Sequence, residues 1–138
     1  MSPEDLEQIV REGWDAFNRG DYEACLKIIH PSIEWWPAAD ELIVEPYRGH
    51  EGYARLFAET RESVPDIQVE CEELSVIRDR VVACLRFWGR GGQSGAPVEV
   101  RETHVARFQD GKLIEVREYR GRVEAMEAVG LSEQDSQT

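Results

Sequence analysis

The tripeptide Gln109-Asp110-Gly111, set between two runs of alternating apolar residues, constrains this chain more than any other feature. It closes a hairpin from Pro97 to Gly121, and the kind of turn it makes decides which side chains share a face. A three-residue loop, type I with glycine in the left-handed position, pairs Phe108 with Lys112, Ala106 with Ile114, His104 with Val116 and Glu102 with Glu118. A two-residue Asp-Gly turn shifts every partner by one. Hydrophobicity favours the longer loop, which gathers Val98, Val100, Ala106, Phe108, Ile114 and Val116 on one face. The other face then holds Glu99, Arg101, Thr103, Arg107, Glu115 and Arg117, with only Val105, Leu113 and Tyr119 apolar.

The inner face so defined also carries Glu102, His104, Glu118 and Arg120. Ionised groups facing a dry core cost several kcal/mol unless paired, and like charges directly opposite destabilise a strand pair. A pocket that admits water or ligand explains the group, with His104 diagonal to Glu118 at about 7–8 Å between backbones. A salt-bridge network at the open rim of a curved sheet explains it too, without chemistry. Four polar groups converging on an apolar wall is the pattern of a binding site.

The rest of the chain supplies the cover for such a sheet. Ser2-Pro3-Glu4-Asp5 is a helix start, and Leu6, Ile9, Val10, Gly13 and Phe17 fall on one helical face that ends at Gly20. Asp21 caps a second, shorter helix stopped by Pro31, and Ser32 to Trp36 form a short strand. A third helix runs to about Ser63. Four strands follow as an antiparallel meander, over Asp66–Ile77, Arg80–Trp88, Pro97–Phe108 and Lys112–Gly121, then a helix over Val123–Val129. Helices first and strands after is an α+β arrangement. Residues 1–131 are expected to form one domain and 132–138 a polar tail.

Trp35 shares a strand face with Ile33 and points inward with Phe57; Trp14 and Tyr53 join them as apolar walls for a flat or cyclic ligand. The 28 acidic against 16 basic residues give a net charge of −12, which repels nucleic acid and anionic membrane. No apolar run approaches a membrane span, and the acidic start MSPEDLEQIV is no signal peptide. Cys25, Cys71 and Cys84 are expected as free thiols in a reducing cytoplasm. His30, His50 and His104 lack metal-ligand spacing, so no metal and no cofactor are expected.

Four segments carry a resemblance: Phe17-Asn18-Arg19-Gly20-Asp21, His30-Pro31-Ser32-Ile33-Glu34-Trp35, Tyr47-Arg48-Gly49-His50-Glu51-Gly52 and Arg107-Phe108-Gln109-Asp110-Gly111-Lys112. In order and spacing they resemble the nuclear transport factor 2-like superfamily, and within it the SnoaL-like polyketide cyclase branch, over residues 4–130. The resemblance implies a cone-shaped, barrel-like fold. In it a strongly curved, mostly antiparallel sheet wraps the N-terminal helices around an internal pocket, and two copies often pair through the sheet. It implies pocket roles for a histidine on the penultimate strand and an acid on the last, places that His104 and Glu118 occupy. The acid there is usually Asp and here is Glu. Steroid isomerases place a Tyr and an Asp where this chain has Gly13 and Pro37.

The expected function is cofactor-free acid/base chemistry on a small, largely apolar carbonyl compound, of cyclase, isomerase or dehydratase type. His104 and Glu118 handle the proton, and Glu102, Arg120, Trp35, Tyr53, Phe57 and Trp14 bind the substrate. The alternative is a non-catalytic binding or dimerisation module. A homodimer is expected through the outer sheet face, on the strength of Val105, Leu113 and Tyr119.

Overall fold

A computed structural model describes residues 1–38 and 45–130; the proposed tail lies outside the described residues. Helix α1 spans Pro3–Asn18 and begins as its sequence dictates: the Ser2 side chain accepts from the Asp5 backbone while Asp5 accepts from the Ser2 N–H. Asp21 caps α2, Tyr22–Lys27, through the Ala24 N–H. Strand β1 runs Ile29–Trp36, three residues earlier than expected, and takes in Pro31. Proline lacks an N–H, and β1 is irregular there: its parallel pairing with β6 jumps from Ile29–Leu113 to Glu34–Glu115. The two-residue β2, Tyr47–Arg48, leads into α3, Gly49–Ser63.

Strands β3 (Gln68–Ile77), β4 (Arg80–Arg90), β5 (Pro97–Gln109) and β6 (Lys112–Tyr119) form the expected antiparallel meander, and α4 covers Arg122–Ala128. The sheet order is β2-β1-β6-β5-β4-β3, so β2 and β3 remain open edges. An extra residue at Glu72 in β3, another in β6 and the slip in β1 interrupt the ladders, and such bulges bend and twist a sheet. The outcome is an α+β fold in which a curled sheet holds α1 and α3 against its inner face, with a core of Val10, Phe17, Ile29, Ile33, Val81, Leu85 and Val116.

The hairpin corrects the expected register. Asp110 and Gly111 both have positive φ, +54° and +75°, the signature of a two-residue type I′ turn. Gln109 therefore pairs with Lys112 and Phe108 with Leu113. Ile114 is then bulged out, and the ladder resumes as Arg107–Glu115, Ala106–Val116, Val105–Arg117 and His104–Glu118. The turn shifts the alternation by one residue and the bulge shifts it back. His104 thus faces Glu118 directly rather than diagonally, and Glu102 has no cross-strand partner in β6.

The outer-face reasoning changes with it. Leu113 joins the main core, while Val105 packs with Ile77, Val82, Ala125 and Met126, flanked by Tyr119. Helix α4 of the same chain thus covers Val105 and Tyr119, the residues taken as signs of a partner. The remaining outer face carries ion pairs, with Arg86 on Glu70 and Glu99 and Arg101 on Glu72 and Glu99.

One glycine sets where α3 sits. A Cβ on Gly52 would lie 2.8 Å from the Tyr47 carbonyl carbon and 3.2 Å from its Cα, both backbone atoms that cannot swing aside. Gly52→Ala is therefore expected to lower stability by about 1–3 kcal/mol, the usual range for overpacking. Chemical denaturation checks this, and an unchanged midpoint would mean the β2–α3 junction is not close-packed.

Candidate functional site

Alternation along β4 and β5 aims Val81, Ala83, Leu85 and Phe87 inward beside Ala106, His104, Glu102 and Val100, their direct partners across the pair. From the opposite side α1 supplies Trp14 and Phe17, and α3 supplies Tyr53, Leu56, Phe57 and Thr60. Between them lies a cavity of about 270 Å³. Val98 and Val100 stand at its open end, 36% and 45% exposed, whereas His104 at the deep end is 4% exposed. The rim network is thereby set aside: the polar group lies inside the sheet.

His104 Nε2 is 3.1 Å from Glu102 Oε1 and 3.9 Å from Glu118 Oε2. The first is a hydrogen bond and the second is too long to be one. With an acid on that side, the ring proton belongs on Nε2, which donates to Glu102. Nδ1 is buried without a hydrogen-bond partner among the described residues. The imidazole sits among three aromatic rings, Trp14, Trp35 and Phe87, at centroid separations of 5.7, 5.8 and 6.0 Å.

Glu118 is held on both oxygens. The Trp35 indole N–H donates to Oε2 at 2.6 Å and the Ala38 backbone N–H to Oε1 at 3.2 Å. Its pKa is nevertheless raised. Burial is the largest cause; His104 opposes it, Glu102 adds to it, and the hydrogen bonds from Trp35 and Ala38 oppose it. Glu102 engages only Oε1. The Tyr53 phenol is pushed far up, first by burial and then by the adjacent Cys25 thiol, so it stays neutral.

The sequence-derived set comes together with one exception. His104, Glu118, Glu102, Trp14, Trp35, Tyr53 and Phe57 all line the cavity. Arg120 does not: it is exposed beyond the end of β6, in an outer recess with Trp36, Pro37 and Glu124. The end of the strand explains the error, since Arg120 counts as an inner residue only if β6 continues to Gly121, and it stops at Tyr119. Phe87 joins the walls, as strand alternation from Val81 places it, and Phe17 was missed as a wall although helical spacing from Val10 would have found it. Nothing in the sequence signals the Ala38 N–H. His30 and His50 serve the frame: Nδ1 of His30 accepts from Ser32, and His50 Nε2 lies 2.9 Å from the Ile29 carbonyl.

Glu102, His104 and Glu118 each offer a ligand atom within 4.8 Å of the others, a constellation the spacing of the histidines did not suggest. A cation bound there would take the Nε2 lone pair and move the ring proton to Nδ1. Metal-bound histidines normally donate that second N–H, and here it would meet no acceptor. The donor set suits a histidine that keeps its Nε2 proton.

The model of the SnoaL-like domain matches residues 10–116. The chain belongs to that family. Among solved structures, an NTF2-like protein of unknown function from Burkholderia pseudomallei is similar over 92% of this chain and 97% of its own, with 20% identity and a TM-score of 0.75. A protein from Jannaschia sp. CCS1, provisionally described as a SnoaL-like polyketide cyclase, covers 94% of each chain at 20% identity and a TM-score of 0.74. TerC, co-crystallised with polyporic acid, covers 91% of this chain and 98% of its own at 19% identity and a TM-score of 0.72. At these identities the likeness is one of fold. No functionally curated protein matches the sequence. No described helix of this SnoaL-like domain is long and apolar enough to cross a membrane.

Proposed function

We propose that this SnoaL-like domain is a cofactor-free acid/base enzyme acting on a small, largely apolar carbonyl compound. The reaction is removal and return of a proton beside the carbonyl, the step shared by cyclisation, isomerisation and dehydration. The observation that carries the reading is a trio of proton-exchanging groups at the deep end of an otherwise aromatic cavity, with His104 Nε2 between the two glutamates. The polyketide cyclase description of one fold relative and the polyporic acid crystallised with another support a small organic ligand.

The roles follow from which atoms are already engaged. Among the described residues one Glu102 oxygen has no hydrogen-bond partner, and it takes the carbon-bound proton. His104 Nε2–H holds the other oxygen and aims the carboxylate. Glu118, its pKa raised by burial, takes up a proton more readily than an ordinary glutamate and serves as the acid. This moves Glu102 from binding to proton transfer.

Solvent exchange of 2-tetralone in D2O, followed by proton NMR, tests the proposal. The wild-type protein is expected to accelerate loss of the α-proton signals over buffer, and Glu102→Gln to abolish the acceleration while folding normally. No acceleration by the wild type, with the ketone shown to bind, would make the domain a binding module instead.

A further inference from the structure

The acids of the cavity outnumber the one described group on its walls that can carry positive charge, the His104 imidazole. Glu102 and Glu118 stand on either side of one histidine, and no lysine or arginine is among the residues lining the cavity. Arg61 of α3 is engaged elsewhere: it lies over the Phe17 and Phe57 rings and hydrogen-bonds the Phe17 carbonyl. Two carboxylates in a dry, aromatic enclosure are costly unless a positive group joins them. A reaction that develops an enolate beside them makes the imbalance worse, since the oxyanion finds repulsion there.

The walls point to the missing partner. Trp14, Trp35 and Phe87 all have ring centroids within 6.0 Å of that of His104, so a group bound beside the imidazole lies among aromatic rings. Aromatic rings combined with carboxylates are what recognises an organic cation. A bare metal ion fits less well, because it requires a second-shell acceptor at Nδ1 that is absent among the described residues. The protein's net charge of −12 draws cations toward it and turns anions away.

We propose that the ligand of this cavity is a hydrophobic amine in its protonated form, its ammonium seated between Glu102 and Glu118 and its ring body against Trp14, Trp35 and Phe87. Joined to the proposed reaction, on which this step rests, the substrate class is an amino ketone. Its positive charge offsets the developing enolate.

The test is binding by tryptophan fluorescence to three molecules of one shape: 2-aminotetralin, 2-tetralol and tetralin-2-carboxylate. The amine is expected to bind at least about tenfold tighter than the alcohol, a difference of about 1.4 kcal/mol, and the carboxylate weakest. In Glu102→Gln and in Glu118→Gln, each checked for folding by circular dichroism, that preference should shrink toward unity while the alcohol still binds. Equal binding of amine and alcohol, or a preference that survives both substitutions, overturns the proposal. So does stoichiometric zinc binding that displaces the amine and disappears in Glu102→Gln, which would assign the acids to a metal. Ketone exchange is scored separately: exchange without amine preference sinks only the cation seat, and amine preference without exchange sinks only the catalysis.

Discussion

Trp35→Phe is expected to destabilise the protein by about 3 kcal/mol near neutral pH, although phenylalanine keeps most of the apolar contact. The lost group is the indole N–H that donates to Glu118 Oε2 at 2.6 Å, leaving the Ala38 N–H as the only donor to that carboxylate among the described residues. A charge-assisted hydrogen bond contributes about 1.5–3 kcal/mol, and stranding a buried charge costs more than the bond contributed. The pH dependence separates this from a simple cavity effect. Burial already raises the folded pKa of Glu118 above its unfolded value, and removing a donor raises it further. Below about pH 4 the carboxyl is protonated in both states, so the charge contribution disappears there and grows as pH rises through the folded value. Urea denaturation in acid and near neutrality should therefore give a small deficit and a large one. An equal deficit at both would show that only packing was lost.

His104→Ala is expected to reduce the 2-tetralone exchange rate at saturating ketone by about 10²–10⁴, the range for a positioned acid/base group. The Michaelis constant should change little, since Trp35, Tyr53 and Phe57 still form the walls. Adding Glu102→Gln to His104→Ala should cost little more than either alone, because residues that act as a unit are not additive. The geometry motivates this: among the described residues, Nε2–H makes the one hydrogen bond that fixes Glu102. Independent, multiplying losses would mean that His104 does not aim Glu102, and the division of roles would have to be redrawn.

The elements were legible in the sequence because each announces itself locally. Ser2 with Asp5, Asp21 with Ala24, and the alternation of β4 all survive in the structure. The cavity walls were legible for the same reason, since Trp14 and Phe57 lie on apolar helix faces and Trp35 on a strand face. The pairing of charges was not. Hydrophobicity was used to choose between two turns on the assumption of an unbroken ladder, and the actual solution was the rejected turn plus a bulge. Nothing in Ile114 as a residue type marks it as the one left out. Two errors of one residue cancelled for Val116 and Glu118, which still face inward, but not for Leu113 or the partner of Glu102, while Arg120 was lost because β6 ends at Tyr119. The Trp35–Glu118 bond is equally invisible from sequence, because it joins residues 83 positions apart.

Helix α4 has a consequence for how the molecule breathes. Its seven residues are too few to hold a helix unaided, and Gly121 gives no side-chain cap. What keeps it folded is the patch of Ile77, Val82 and Val105 under Ala125 and Met126. This patch lies on the side of the sheet opposite the cavity, so the helix can peel away as a unit of its own while β4 and β5 stay paired. Such an excursion would bare a sticky apolar strip without opening the side of the sheet on which Glu102 and His104 lie. Self-association through the transiently open state and turnover at the site are therefore separate vulnerabilities, each tunable by substitutions that leave the other alone.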